Sequence, residues 1–455
     1  MCALLLAPFL SAASPAQADQ ERLVPRTEVD GPTLSFDWPA IEIAVGSYEE
    51  GPTGLTIFHF PKPVSLAVDV RGGAPGTVNT DALRLSESEP FTDAIVVSGG
   101  SSLGEETITA VATGLKERSD RLGKFNQIPF STGAIIYDFR QHRLNDIYPD
   151  KRLAWAALEA LRPGVFPLGA QGAGRSAVQG GALGCRSYSG QGGAFRQVGD
   201  VKIAAFTVVN ALGAVVARDG TLPRCARNPA WGKDEKIADI LRRVGTPTLT
   251  TPPGPLGRTD NTTISVVVTN RKMTPAELQR FAVQVHSSIG RAIQPFSTDA
   301  DGDTLFAVST QEVDASPALP VGQLNIMASE LMWDAVLASV PGEAAPRLTG
   351  DRRVSPDRLA RLAGRYSFGP GAEMTVTAEG GRLTLRSEAP NFFDIPKDQT
   401  IPLKAASETE FYVDGRHQTR IGFAVGPEGK AAAATINPGR WAQAGRRVEA
   451  GAAGR

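Results

Sequence analysis

Asn261-Thr262-Thr263-Ile264-Ser265-Val266-Val267-Val268-Thr269 is the stretch on which the reading of this chain turns. Its β-branched run is the pattern of a buried strand. The residues before it, Gly245 to Asp260, form a Pro/Gly/Thr segment that suits neither helix nor strand. Local sequence leaves two readings open. One is a loop entering a core strand. The other is a self-cleavage point between Asn261 and Thr262, which would make Thr262 the first residue of a second chain. Its hydroxyl would then sit beside its own α-amine, a group that titrates at about 7.7–8.0 and suits a general base near neutrality.

Outward from this point the pattern is α/β. On the N-terminal side, strand-like runs at Leu66–Val70, Ala94–Val97, Ala134–Tyr137 and Ile203–Val209 alternate with helix-like runs at Glu105–Leu115, Lys151–Leu161 and Lys233–Val244. On the C-terminal side a helix is expected from Thr274 to Ile293, opened by a capping box with Thr274 as N-cap, Pro275 at N1 and Glu277 at N3. A strand at Leu305–Val308 and a helix over Val321–Val340 follow. Residues 341–356 are polar with Pro and Gly and read as a linker. Beyond them, over 357–450, alternating strands at Met374–Thr377, Arg382–Arg386, Glu410–Val413 and Ile421–Val425 predict a small antiparallel barrel or curved sheet.

A chain of 455 residues is too long for one ordinary core, so two or three domains are expected. The net charge of -1 gives no support for a nucleic-acid partner or for an anionic membrane. Residues 1–18 read as an export leader, with an apolar core at Ala3–Leu10 and a small-x-small site at Ala16-Gln17-Ala18. The run is too short to span a membrane, and no Lys or Arg precedes Arg22, so the charged opening of a leader is missing. A periplasmic or secreted protein is the expectation, with no membrane insertion. Cys2 would leave with the leader, and Cys185 and Cys225 are either a disulfide or two separate thiols. The four histidines show no ligand spacing, so neither a metal nor a cofactor is expected.

Three other constellations invite chemistry. Gly100-Ser101-Ser102-Leu103-Gly104 matches the GxSxG pattern between a strand and a helix, which would make Ser102 a nucleophile. A Gly-rich turn between strand and helix is the favoured reading, and His142, His286 and His417 are poorly placed as triad partners. Gly169–Gly174 lacks the spacing of a phosphate cradle and reads as a structural or substrate loop. Asp299, Asp301 and Asp303 resemble the start of a calcium loop, but Thr310 stands where the closing Glu belongs, so a solvated acidic turn is the default.

Taken together, Val68–Thr77, Ser98–Gly104, Val208–Gly213, Asn261–Asn270, Arg291–Pro295 and Asp301–Ala307 resemble, in order and spacing, the autoprocessing L-aminopeptidase/D-amidase-esterase family, the DmpA-type N-terminal-nucleophile peptidases. The resemblance covers about residues 40–340. It implies an αββα four-layer sandwich, cleavage at Asn261-Thr262 into α and β chains, and a homo-oligomer of αβ units. It makes Thr262 the nucleophile, Asn210 an oxyanion donor, and Asp301 and Asp303 the carboxylates that organise the nucleophile and a substrate amine. Tyr137, Gly100 and Ser101 fall on substrate-binding positions. Gln191-Gly192-Gly193 stands where a Lys-Gly-Gly turn is expected, which leaves substrate preference open among short peptides, amides and esters. The C-terminal Leu362–Tyr366 and Gly380–Leu385 resemble a small β-domain appended to some β-lactamase-like hydrolases. The alternatives are a serine hydrolase using Ser102, and a non-catalytic envelope binding protein on a peptidase scaffold.

Overall fold

The computed structural model describes residues 23–85, 90–119, 128–139, 143, 145–183, 187–223, 235–243, 261–315, 319–340, 348–369, 371–388, 397, 399–414, 419–437, 439 and 441–448. The leader reading of residues 1–18, all three cysteines, His142, His417 and the segment 244–260 lie outside them.

The strands that build the site are β1 (Glu42–Tyr48), β2 (Thr53–Val70), β3 (Phe91–Ser98), β4 (Ser131–Ile135), β5 (Val178–Gln179), β6 (Ser187–Tyr188), β7 (Gln191–Val198), β8 (Val201–Asn210), β9 (Thr262–Arg271) and β10 (Thr304–Val313). Helices α1 (Glu106–Arg118), α2 (Lys151–Glu159), α3 (Pro275–Ser288) and α4 (Val321–Ala338) flank them, and α5 (Pro356–Leu362) opens the C-terminal part. The 18-residue β2 organises the main ten-stranded sheet. Its first half pairs with β1 and β3, and its second half pairs with β10, with a register break between His59 and Val64. The exposed Pro61-Lys62-Pro63 segment occupies the break, because proline cannot donate to a ladder.

Side-chain alternation turns the two halves of this sheet into stacked layers. Even-numbered Phe58, Phe60, Leu66 and Val68 of β2 face a central core, together with Ile264, Val266 and Val268 of β9 and Phe306 and Val308 of β10. Phe206 of β8 fills its middle, 5.1 Å from Phe58 and 4.7 Å from Phe166. Leu55 and Ile57 point the other way, into α1 and α2. Ala67, Val267, Leu305 and Ala307 point into α3 and α4. The order helix–sheet–sheet–helix is the αββα sandwich that the family resemblance implied.

Helix α3 begins with the expected reciprocal capping box between Thr274 and Glu277. It stops at Ser288 rather than Ile293, giving way to a 3-10 turn over Ile289–Arg291. The final part is a nine-stranded antiparallel sheet spanning Gly364–Val448, curled around Tyr366, Met374, Leu383, Phe411 and Ile421 and plugged by Leu359 and Leu362 of α5. Gly380 and Gly381 turn its hairpin between Glu373–Glu379 and Arg382–Ser387 with positive φ of 59° and 76°, which an L side chain rarely adopts.

Candidate active site

Strand direction brings the candidate residues to one corner. β9 and β10 run parallel, so their N-terminal ends meet, and a backbone bridge joins Asn261 to Asp301. β8 runs antiparallel to β9, so its last residue, Asn210, lies opposite Thr262. Thr262, Asn210, Asp301 and Asp303 are all 3 % exposed or less.

The peptide between Asn261 and Thr262 has two donors on its carbonyl oxygen. The Thr262 Oγ1 hydroxyl donates to the Asn261 carbonyl oxygen at 2.5 Å, and the Gly302 amide donates to the same oxygen at 2.9 Å. The hydroxyl thus rests against the carbonyl that an N-to-O acyl shift would attack, and a second donor already sits on the oxygen that would take the charge. Gly302 is required here, since a Cβ on it would lie 2.7 Å from Thr262 Oγ1 and 2.8 Å from the Ala74 carbonyl.

The two carboxylates are structural partners of the backbone around this peptide. Asp303 accepts from the amides of Thr263 (2.6 Å) and Ser297 (2.9 Å). Asp301 accepts from the Leu212 amide (3.2 Å) and the Thr298 hydroxyl (2.6 Å). Burial raises both, and with the Asp301 charge added Asp303 is pushed up to about 8. Of the acidic turn expected to be solvated, Asp301 and Asp303 are buried and only Asp299 is exposed. The Arg71–Gly76 loop covers the buried pair, with the Gly72 amide on Asp303 O and the Ala74 amide on Asp301 O. Gly72 has no room for a Cβ, which would sit 2.3 Å from Asp301 O.

The Asn210 side chain is fixed by two backbone groups. Its Oδ1 accepts from Val178 N (3.1 Å), and its Nδ2 donates to Tyr137 O (2.9 Å). Tyr137 lies just past β4, and the Ser101 amide bonds the carbonyl of its neighbour Ile136. Gly100 (φ 82°) and Ser101 (φ 53°) thus turn beside the same corner, anchored by Asp138 Oδ1 on the Gly100 amide at 2.8 Å. Tyr137, Gly100 and Ser101 join the cluster on this evidence. Ser102 is solvent-exposed, and no hydrogen bond among the described residues links it to a histidine. His286 is held by Asp69 at 2.9 Å under Phe296. Gly169–Gly174 packs structurally, with Gly172 against Thr56 and Val45. Among the described residues no group of three or more His, Cys, Asp and Glu is arranged to hold a metal ion. Gly302, Ser297, Thr298 and Val178 escaped the sequence reading; only Gly302 lay inside a quoted motif.

Residues 37–345 match the profile of peptidase family S58. The chain belongs to that family. The match ends ahead of the C-terminal sheet. The chain is 42 % identical over 333 residues to a 6-aminohexanoate-oligomer endohydrolase of Kocuria sp. (strain KY2), covering 69 % of this chain and 88 % of that one. It is 32 % identical over 276 residues to an uncharacterized aminopeptidase of Mycobacterium tuberculosis (strain ATCC 25618 / H37Rv), covering 58 % and 75 %. Among solved structures it is similar to the L-aminopeptidase D-Ala-esterase/amidase of Ochrobactrum anthropi, with a TM-score of 0.47 and 16 % identity over 69 % of this chain and 88 % of that one. With S58 membership the chain is a hydrolase of the peptidase and amidase kind.

Proposed function

We propose that this S58 hydrolase activates itself by cutting Asn261-Thr262 and then hydrolyses amide bonds with Thr262 as nucleophile. The observation that carries the reading is the Thr262 hydroxyl at 2.5 Å from the Asn261 carbonyl oxygen that Gly302 also holds. In the first reaction Thr262 Oγ1 adds to the Asn261 carbonyl carbon, and the Gly302 amide stabilises the oxyanion. The C–N bond breaks, the α-amine takes up a proton, and Asn261 is left as an ester on Thr262. Water hydrolyses that ester and frees both termini.

In the mature enzyme the Thr262 α-amine accepts the hydroxyl proton as Oγ1 attacks a substrate carbonyl. Asn210 is the amide donor to the resulting oxyanion, a role worth about 2.7–4 kcal/mol in other oxyanion holes. Asp303, bonded to the Thr263 amide, and Asp301 orient the new N-terminus. Tyr137, Gly100 and Ser101 line the substrate side.

The substrate class we favour is a short linear amide or peptide with unbranched spacing between amides, on the strength of the 42 % relatives named for 6-aminohexanoate oligomers. Removal of N-terminal residues from short peptides, amides or esters is the other arm, raised by the aminopeptidase relatives. Export with loss of residues 1–18, periplasmic or secreted action, assembly into αβ oligomers and a division near residues 341–356 complete the proposal. The test is hydrolysis of a 6-aminohexanoate trimer and of aminoacyl p-nitroanilides by the wild type, Thr262→Ala and Ser102→Ala. Activity lost in Thr262→Ala and kept in Ser102→Ala supports the reading; the reverse pattern overturns it.

A further inference from the structure

The C-terminal sheet lies beyond the family match, yet residues at the ends of its neighbouring strands Ala431–Ile436 and Gln443–Val448 rest on the part of the main body that holds Asn210. Trp441, two residues before the strand Gln443–Val448, stacks on Tyr188 with ring centroids 5.4 Å apart and planes 21° from parallel. Its Nε1 donates to the Ser189 carbonyl at 3.0 Å. The next residue, Ala442, accepts from Arg175 Nη2 at 2.9 Å, while the same guanidinium grips Glu49. Asn437 Nδ2 reaches the Tyr188 hydroxyl at 3.5 Å.

Every one of these partners lies in or beside the β5–β6 hairpin. That hairpin consists of two strands of two residues each, paired only with one another. A two-stranded ribbon of that size has little stability of its own. It nevertheless sets the Asn210 amide by two routes. Tyr188 is the cross-strand partner of Val178, whose N–H holds Asn210 Oδ1. Ser189, under the Trp441 indole, donates its hydroxyl to the carbonyl of Val209, the residue before Asn210. On the opposite rim, Asn145 donates to Phe368 O of the C-terminal sheet at 2.6 Å, and nearby Tyr148 and Pro149 pack against Gly100.

We propose that the C-terminal sheet is a positioning element for the active-site corner, with Trp441 setting the β5–β6 hairpin and through it the Asn210 amide. The inference rests on the reading of Asn210 as an oxyanion donor to the Thr262 reaction. Trp441 touches no reacting atom, so its loss should change the rate of chemistry and leave substrate affinity alone.

The test uses the full chain carrying Trp441→Ala or Trp441→Phe, with hydrogen exchange at the Val178 and Ser189 amides and kcat and KM on a 6-aminohexanoate trimer. The expected result for Trp441→Ala is faster exchange at both amides and a kcat lowered about tenfold with KM within about twofold, a size consistent with one aromatic stack and one hydrogen bond. Trp441→Phe keeps the stack and should recover most of the rate. Wild-type kcat in Trp441→Ala, or a fall in kcat with unchanged exchange and no recovery in Trp441→Phe, overturns the proposal. Thr262→Ala assayed in parallel separates the two claims. Hydrolysis that survives there removes the Thr262 reading, while the exchange rates still decide whether Trp441 sets the hairpin.

Discussion

Replacing Gly302 by Ala should stall self-cleavage while leaving the fold in place. The added Cβ would stand 2.7 Å from Thr262 Oγ1, 2.8 Å from Ala74 O and 3.3 Å from Pro75 Cα. Ordinary contact between carbon atoms is about 3.5–4.0 Å, so each neighbour must yield. The Ala74 backbone is tied down by its own bond to Asp301, which leaves the Thr262 hydroxyl as the group that moves. It would rotate off the Asn261 carbonyl, away from the group it is proposed to attack. Overpacking of this kind costs about 1–3 kcal/mol, and about 1.4–2.7 kcal/mol in the barrier slows cleavage tenfold to a hundredfold. The assay is the disappearance of full-length chain on denaturing gels after synthesis in a cell-free system. Gly290→Ala is the control, since nothing lies within 4 Å of its added Cβ. Cleavage of Gly302→Ala at the wild-type rate, with an unchanged unfolding transition, would refute the assigned approach of hydroxyl to carbonyl.

Two further outcomes follow from buried charge. Asp303 is raised from 3.8 to about 8, so the fold favours its protonated form; its contribution to stability is full below about pH 3.8 and lost as pH rises through about 8. In uncleaved Thr262→Ala protein, the Tm advantage over Thr262→Ala/Asp303→Asn should therefore shrink between pH 4 and 8, and an advantage that grows over that range contradicts the assignment. Arg143 and Asp138 form a fully buried pair in which the guanidinium also donates to Gly51 O at 2.6 Å. Arg143→Met should cost about 3–5 kcal/mol in denaturant unfolding, because the buried Asp138 loses its ion-pair partner and keeps only the Gly100 amide and the Thr53 hydroxyl; a loss under about 1 kcal/mol would show the pair is not needed.

The sequence made the core strands legible where side chains are apolar on both faces. β9 and β10 are buried throughout their cores, and the β-branched run of the one and the apolar Leu305–Val308 of the other announced them. The Thr274 cap was legible because capping is local chemistry. β2 was read only from Leu66 onward, since Pro61 and Pro63 break the pattern of what is one 18-residue strand. Its role in joining two sheet layers depends on partners far away in the chain. The acidic turn was misjudged for the same reason: carboxylates are normally solvated, and only the Arg71–Gly76 loop, more than 220 residues earlier in the chain, shows that Asp301 and Asp303 are covered. The contact between Trp441 and Tyr188 spans 253 residues by their numbering, and no local pattern announces it. Thr262 and Asn210 were accessible through the ordered family resemblance, whereas their closeness came from strand register alone.

The central claim rests on a single bond. The mass of the purified full-length product under denaturing conditions, with N-terminal sequencing, tests it most directly. The account predicts two polypeptides, one of them beginning at Thr262, and a single uncut polypeptide for Thr262→Ala. One intact chain from the wild-type gene that still hydrolyses amides would contradict it.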